Sequence, residues 1–442
     1  MRIQLSEHFT YAKLLRFTLP SIIMMIFTSI YSVVDGLFVT NFVGKTPFAA
    51  VNLIFPVLMI LGTVGFMIGT GGTAIVAKTL GQGRKEEANQ YFSLLVCAAA
   101  AGGTVIGILG MLFIRPAAAA LGAEGDMLEY CVLYARIILA ANPFFVLQNV
   151  FQSFFVSAEK PKLGLAVIVG AGLTNIAMDA LLVAVWRLGI TGAAVATAMS
   201  QVVGGLAPVV YFLRKNDSLL QLTRPKFNGR VLVKTCTNGS SELMSNLSSS
   251  LVSILYNFQL MRLAGENGVA AYGAIMYVSF VFAAIFIGYA IGSAPVISFH
   301  YGAEHHDELK NLLRKSAALN AAAGVVMAVI GAAVSAALAR LFVGYDPELY
   351  ALTVRGFRLY AISYLFCGFN IFGSSFFTAL NNGLASAAIS FLRTLVFQCA
   401  SVIILPIFLD IDGVWLAITV AEIAALAVTL ALLAKYRRIY RY

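Results

Sequence analysis

Residues 47–78 read PFAAVNLIFPVLMILGTVGFMIGTGGTAIVAK, with no charged side chain before Lys78. An α-helix rises 1.5 Å per residue, and about 20 apolar residues cross the hydrocarbon of a bilayer. This stretch is long enough to span. It must do so as a helix, because lipid satisfies no free backbone N–H or C=O group. Working outward, the same reading gives spans at about 12–41, 47–78, 88–114, 127–157, 161–186, 190–214, 233–262, 268–299, 310–341, 348–379, 383–409 and 412–436. Breaks fall at Gly44-Lys45-Thr46-Pro47, Gly81-Gln82-Gly83-Arg84, Glu159-Lys160-Pro161, the polar stretch 215–232, and Gly302 to Asp307.

Composition agrees. The 442 residues are 60% hydrophobic and 11% charged, with mean hydropathy +0.87. Soluble chains carry about 25% charged residues, so a soluble enzyme, a disordered tail and a fibrous protein are excluded. Cys97, Cys131, Cys236, Cys367 and Cys399 are scattered without a CxxC pair. That is neither a disulfide framework nor a zinc site. The first apolar run is too long for a signal-peptide core and further spans follow it, so no cleavable leader is expected.

The net charge of +10 is explained by its placement. With the N-terminus inside, the inner segments hold 21 of the 30 basic residues, among them Lys13, Arg16, Lys78, Arg84, Lys160, Arg224, Lys315 and Arg437. The outer loops hold five: Lys45, Arg115, Arg187, Arg262 and Arg340. The positive-inside rule then puts both termini in the cytoplasm of a multi-pass plasma (inner) membrane protein. The excess reads as orientation, and no nucleic-acid partner is expected.

Shifted by 221 residues, the chain meets itself. Gly44 meets Gly265, Gly71 meets Gly292, Gly81 meets Gly302, Glu87 meets Glu308, Asn149 meets Asn370 and Gly192 meets Gly413. Six spans per half is an even number, so both halves enter the membrane in the same direction. The expected fold is an all-α polytopic bundle of twelve helices. Its two six-helix lobes, 1–214 and 233–442, are joined by a cytoplasmic linker at 215–232. A pseudo-two-fold axis along the membrane normal relates them, as in secondary transporters.

Leu19-Pro20, Val34-Asp35 and Gly189-Ile190-Thr191-Gly192-Ala193-Ala194-Val195-Ala196-Thr197, within twelve spans and two lobes, resemble the multidrug and toxic compound extrusion (MATE) family. The resemblance covers nearly the whole chain. It implies a secondary antiporter, not an enzyme, that exports lipophilic cations in exchange for H⁺ or Na⁺ and needs no cofactor. Gly44-Lys45-Thr46 is no P-loop, because Val39 stands where that motif needs glycine. Two rival readings are a flippase for a lipid-linked saccharide and a membrane-embedded enzyme. The first needs a wide cationic cavity. The second needs Asp-rich motifs, and Asp410-Ile411-Asp412 is the only close pair.

Four of the twenty acidic residues lie inside spans, away from their ends: Asp35, Asp179, Glu242 and Glu422. Carboxylates there are costly and usually face a cavity. Asp35, Asp179 and Thr197 each lie six or seven residues, or roughly 10 Å, below the outer ends of their spans. Asn175, four residues before Asp179, shares its face. Asp35, Asn175, Asp179 and Thr197 thus form one candidate layer for ion coupling, by a shared proton or as oxygen ligands to Na⁺. The resemblance assigns these positions to ion binding in one prokaryotic branch of the family. At the repeat offset they meet Tyr256, Val396, Ala400 and Ile418, so the cluster is expected in one lobe only. Pro20 removes a backbone hydrogen bond from span 1 and is the candidate hinge.

Gln148, Asn149, Gln152 and Gln201 are amides at helical spacing that suit a drug pocket, although the recurrence of Asn149 as Asn370 favours packing there. Glu242 either meets a cation at an inward cavity or caps a helix start. Glu422, with no acidic partner, reads as structural. Glu304-His305-His306-Asp307 reads as a solvated loop. A monomer in the lipid bilayer, acting on small lipophilic cations, is expected. A cysteine placed at Asn216 should resist labelling from outside intact cells; ready labelling there overturns the orientation.

Overall fold

The computed structural model describes residues 3–344 and 346–442, with side chains described except at 32, 33, 35–41, 45 and 342. The described chain is helical throughout: α1 Tyr11–Phe42, α2 Lys45–Gly81, α3 Lys85–Ala120, α4 Gly125–Ala140, α5 Asn142–Ser157, α6 Pro161–Asp179, α7 Gly189–Leu213, α8 Gly229–Asn238, α9 Ser240–Gly302, α10 His306–Val343, α11 Pro347–Ala361, α12 Tyr364–Ala379, α13 Gly383–Phe391 and α14 Gln398–Tyr440. Single π-helical turns, Ala180–Val185 and Leu392–Phe397, extend α6 and join α13 to α14.

These elements make twelve spans. α9 is two spans folded at Gly265 (φ 60°), and α14 is broken at Asp410 (φ 47°). Both sit in the left-handed region, where one residue reverses the chain with no loop at all. α4 with α5 and α11 with α12 are single spans bent by 57° and 48°. Residues 229–238, read from sequence as linker and span, form the separate helix α8, capped where the Asn228 side chain accepts from the Val231 N–H.

The repeat is visible as reciprocal contacts. A Cβ on Gly81 would overlap the Phe299 carbonyl, and a Cβ on Gly302 would overlap the Lys78 carbonyl. Phe299 is 221 residues beyond Lys78, so the two contacts are images of one another across the axis. Gly71 likewise packs on Gly239, and Gly292 on Thr18. The single offset does not hold throughout. The left-handed turns Glu159 and Asn381 are 222 residues apart, as are the starts of α5 and α12. One extra residue therefore enters the second lobe ahead of its bent span. In that span Asn370 corresponds to Gln148, not to Asn149 as the 221 offset implies.

The lobes meet at one end. Among the described residues, the hydrogen bonds between them all lie in the half that carries the linker. Glu308 accepts from the Phe9 N–H (2.9 Å) and pairs with His8 Nδ1 (2.5 Å). Asn311 and Lys315 donate to the Phe9 carbonyl, and Asn238 and Asn381 reach the carbonyls of Gly71 and Ala74. One apolar cluster joins Leu5, Phe9, Leu14 and Phe17 of the first lobe to Val296, Leu309, Phe376 and Tyr442 of the second. At the other end the clusters separate. Ala50, Ile54, Ile138 and Ile190 belong to the first lobe; Tyr256, Val343, Leu349 and Trp415 belong to the second.

Gly81→Val and Gly302→Val should each destabilise the protein by about 1–3 kcal/mol, the cost of overpacking a close contact. The two losses should be similar, because the sites are symmetry mates. Melting of the purified protein in detergent measures both; unchanged melting for either variant contradicts the backbone contact.

Candidate ion and substrate site

Three helices build the polar interior of the first lobe. Gly172 of α6 lies against Phe27 and Tyr31 of α1, so closely that a Cβ added there would sit 3.1 Å from the Tyr31 ring. Asn175 and Asp179 follow Gly172 by three and seven residues, so they continue the face of α6 that packs on α1. Both spans run in the same direction, so helix position 35 is level with Asp179. The Asp35 side chain itself lies outside the described residues.

α7 runs back along α6. The Ser200 hydroxyl donates to the Ala171 carbonyl (2.8 Å), and a Cβ on Gly192 would lie 3.0 Å from the Leu182 carbonyl. Thr197, between these two points, is level with 174–177. The structure thus places Asn175, Asp179 and Thr197 in one stretch of the α6–α7 pair. Asp179 is fully buried and Asn175 nearly so. Asn175 Oδ1 and Thr197 Oγ1 have no hydrogen-bond partner among the described residues. The π-helical turn Ala180–Val185 begins directly after Asp179. Such turns recur at functional sites because they re-aim side chains and loosen the backbone ladder. Nothing in the apolar sequence ALLVAV signals it.

The amides divide. Gln148 of α5 faces α7, where a Cβ on Gly204 would lie 2.6 Å from its Cδ. Gln201 is three residues before Gly204 on the same helix face. Asn149 instead faces α2, where a Cβ on Gly65 would lie 3.0 Å from its own Cβ. Gln148, Asn149, Gln152 and Gln201 are all buried. Gln148 Oε1, Asn149 Nδ2 and Gln201 Oε1 lack partners among the described residues. Buried amides are almost always satisfied, so this concentration of unpartnered amide atoms is unusual for a packed interior.

Pro20 is buried within α1, which runs helically through it. Its neighbours make the lobe contact: Thr18 meets Gly292, and Ser21 and Ile22 meet Gly288. Glu242 lies half-buried in the first turn of α9, next to the Gly239–Met67 contact. A carboxylate in a helix's first turn is favoured by the unpaired N–H groups there.

The second lobe also holds a buried charge pair, at positions other than the repeat mates of the first-lobe layer. Glu422 is ion-paired to Arg393 (2.7 Å) and accepts from Asn370 Nδ2 (2.7 Å). Sequence reasoning missed this pair because its members are 29 residues apart on neighbouring spans. Among the described residues no three His, Cys, Asp or Glu side chains converge as metal ligands.

Two parallel repeats around a polar interior define a polytopic membrane transporter. The MatE family model matches residues 20–181 and again 243–403, one match in each lobe, and the chain belongs to that family of transporters. The multidrug export protein MepA of Staphylococcus haemolyticus is 23% identical over 82% of this chain and 81% of its own length. A crystal structure of a MATE in complex with MaL6 superposes with a TM-score of 0.93 at 23% identity, covering 98% of both chains. A MATE in the straight conformation gives 0.92 at 22% identity, again over 98% of both.

Thr197→Val keeps the shape and removes a hydroxyl that has no partner among the described residues, a change that is neutral or stabilising by up to about 1 kcal/mol. Its melting temperature, measured without Na⁺, should equal or exceed that of the unaltered protein. A marked drop shows that the hydroxyl holds a structural hydrogen bond.

Proposed function

We propose that this chain is a secondary antiporter of the plasma membrane. It exports lipophilic, cationic small molecules in exchange for inward H⁺ or Na⁺, as a monomer with both termini cytoplasmic. The observation that carries the reading is the one-ended seam. The lobes are tied together in the half that holds the linker, where the basic residues cluster, and their apolar clusters part at the other. This is the arrangement of an outward-facing transporter between two rocking lobes. The lobes 1–214 and 233–442 are the moving units, and 215–232, part of which is helix α8, connects them. The staphylococcal relative bears the name of a multidrug export protein, which supports the substrate class.

In this reading the ion acts through Asp35, with Asn175, Asp179 and Thr197 in the same layer. Two carboxylates in an apolar lobe share one proton or one Na⁺, and either relieves the cost of burying both. Gln148, Asn149, Gln152, Gln201 and Glu242 line the substrate path. Pro20, at the seam, is the point where a change in the charge of Asp35 becomes bending of α1. That α1 is helical through Pro20 fits a straight α1.

The test is efflux of a fluorescent lipophilic cation from proteoliposomes under separately imposed H⁺ and Na⁺ gradients. One gradient should drive export. Asp35→Asn and Asp179→Asn should fold but reduce gradient-driven export to the level of empty vesicles, whereas Ala400→Ser, which the 221 offset pairs with Asp179, should not. Wild-type rates and ion dependence in Asp35→Asn show that Asp35 carries no ion.

A further inference from the structure

We infer that the second lobe contains a cation site whose occupant is the chain's own Arg393, so that this lobe loads no mobile ion. The geometry is that of a filled site. Glu422 Oε1 accepts from Arg393 Nε (2.8 Å) and Nη2 (2.7 Å); Oε2 accepts from Arg393 Nε (3.0 Å) and Asn370 Nδ2 (2.7 Å). Thr429 Oγ1 donates to Asn370 Oδ1 (3.0 Å), which fixes the amide with its NH₂ toward the carboxylate. Arg393 Nη2 also reaches Cys367 Sγ (3.3 Å). Both carboxylate oxygens are answered from within the lobe. Glu422 is 3% exposed and Arg393 18%.

The first lobe supplies the comparison. At the repeat positions Glu422 becomes Gln201, Asn370 becomes Gln148, and Arg393 falls at Ala171–Gly172. There the tethered cation is missing, and Gln148 Oε1 and Gln201 Oε1 stand without partners among the described residues. At these repeat positions one lobe is therefore charge-closed by its own side chain, while the other keeps amide oxygens unanswered among the described residues. A guanidinium is always charged, and this one is tethered to the chain and cannot leave. It occupies the Glu422 carboxylate and denies it to H⁺, Na⁺ or a cationic substrate. The consequence for coupling, that the driving ion is counted in the first lobe alone, rests on the function proposed above. The site itself does not.

The test begins in detergent and needs no transport. Arg393→Ala should melt below the unaltered protein. Ethylguanidinium chloride at millimolar concentration should restore it saturably by several degrees, and choline chloride of equal ionic strength should not. Adding Glu422→Gln to Arg393→Ala should abolish the response. A folded Arg393→Ala that ignores ethylguanidinium, or an unaltered protein that responds equally, overturns the assignment. If Arg393→Ala does not fold, the double variant Arg393→Gln/Glu422→Gln decides, because it removes both buried charges together. In proteoliposomes it should keep the wild-type dependence on driving-ion concentration. A shifted ion dependence shows that Glu422 carries a mobile ion. Failure of the unaltered protein to export leaves the detergent result standing and counts against the proposed function alone.

Discussion

The structure depends on how closely two backbones approach at the axis. α2 and α9 cross where Gly81 meets the Phe299 carbonyl and Gly302 meets that of Lys78. Hydrocarbon gives no hydrophobic drive for two helices to associate, so small residues that admit backbone contact supply the attraction through dispersion. Here that contact is duplicated by symmetry. It holds the two lobes at one end and leaves the rest of each lobe to pack within itself. Everything that lets the lobes act as two bodies follows from confining their shared surface to one end, in the glycine-lined contacts of α1 and α2 with α9 and the strap of residues 3–9 beside them.

Against this symmetric frame the polar interiors diverge. In the second lobe, Arg393, Glu422, Asn370 and Thr429 satisfy one another. In the first, Asn175, Thr197, Gln148 and Gln201 keep buried atoms without partners among the described residues. An unsatisfied polar atom costs stability, whereas a paired charge roughly breaks even. A bound ion or molecule that answers those first-lobe atoms therefore stabilises the lobe that holds it.

Much of the fold is legible in the sequence because membrane crossing leaves so little choice. The apolar run after Pro47 and the basic loops at Arg84 and Lys160 locate the spans, and the helices end within a few residues of those limits. The reversals at Gly265 and Asp410 are less legible, since one residue in the left-handed region replaces the loop that a reader looks for. The 222-residue register of α5 and α12 hides for a related reason. In apolar helices a one-residue slip still matches alanine to leucine, and only the turn at Glu159 and Asn381 fixes it. The layer of Asn175, Asp179 and Thr197 is read from depth along each span, a one-dimensional quantity. The Arg393–Glu422 pair needs the angular packing of two helices, which depth does not supply.

The strap has a consequence for how the protein is made. Leu5 and Phe9 leave the ribosome long before Val296, Leu309 and Tyr442, the residues that bury them. The Phe9 N–H and carbonyl wait for Glu308 and Lys315. In a nascent chain that has inserted only its first six spans, Leu5 already has Glu159 to bind its N–H, but the Phe9 backbone has no partner. Docking of Phe9 is a late event of biogenesis. A chain interrupted before its second lobe leaves this end of the strap uncovered, which distinguishes it from a finished one.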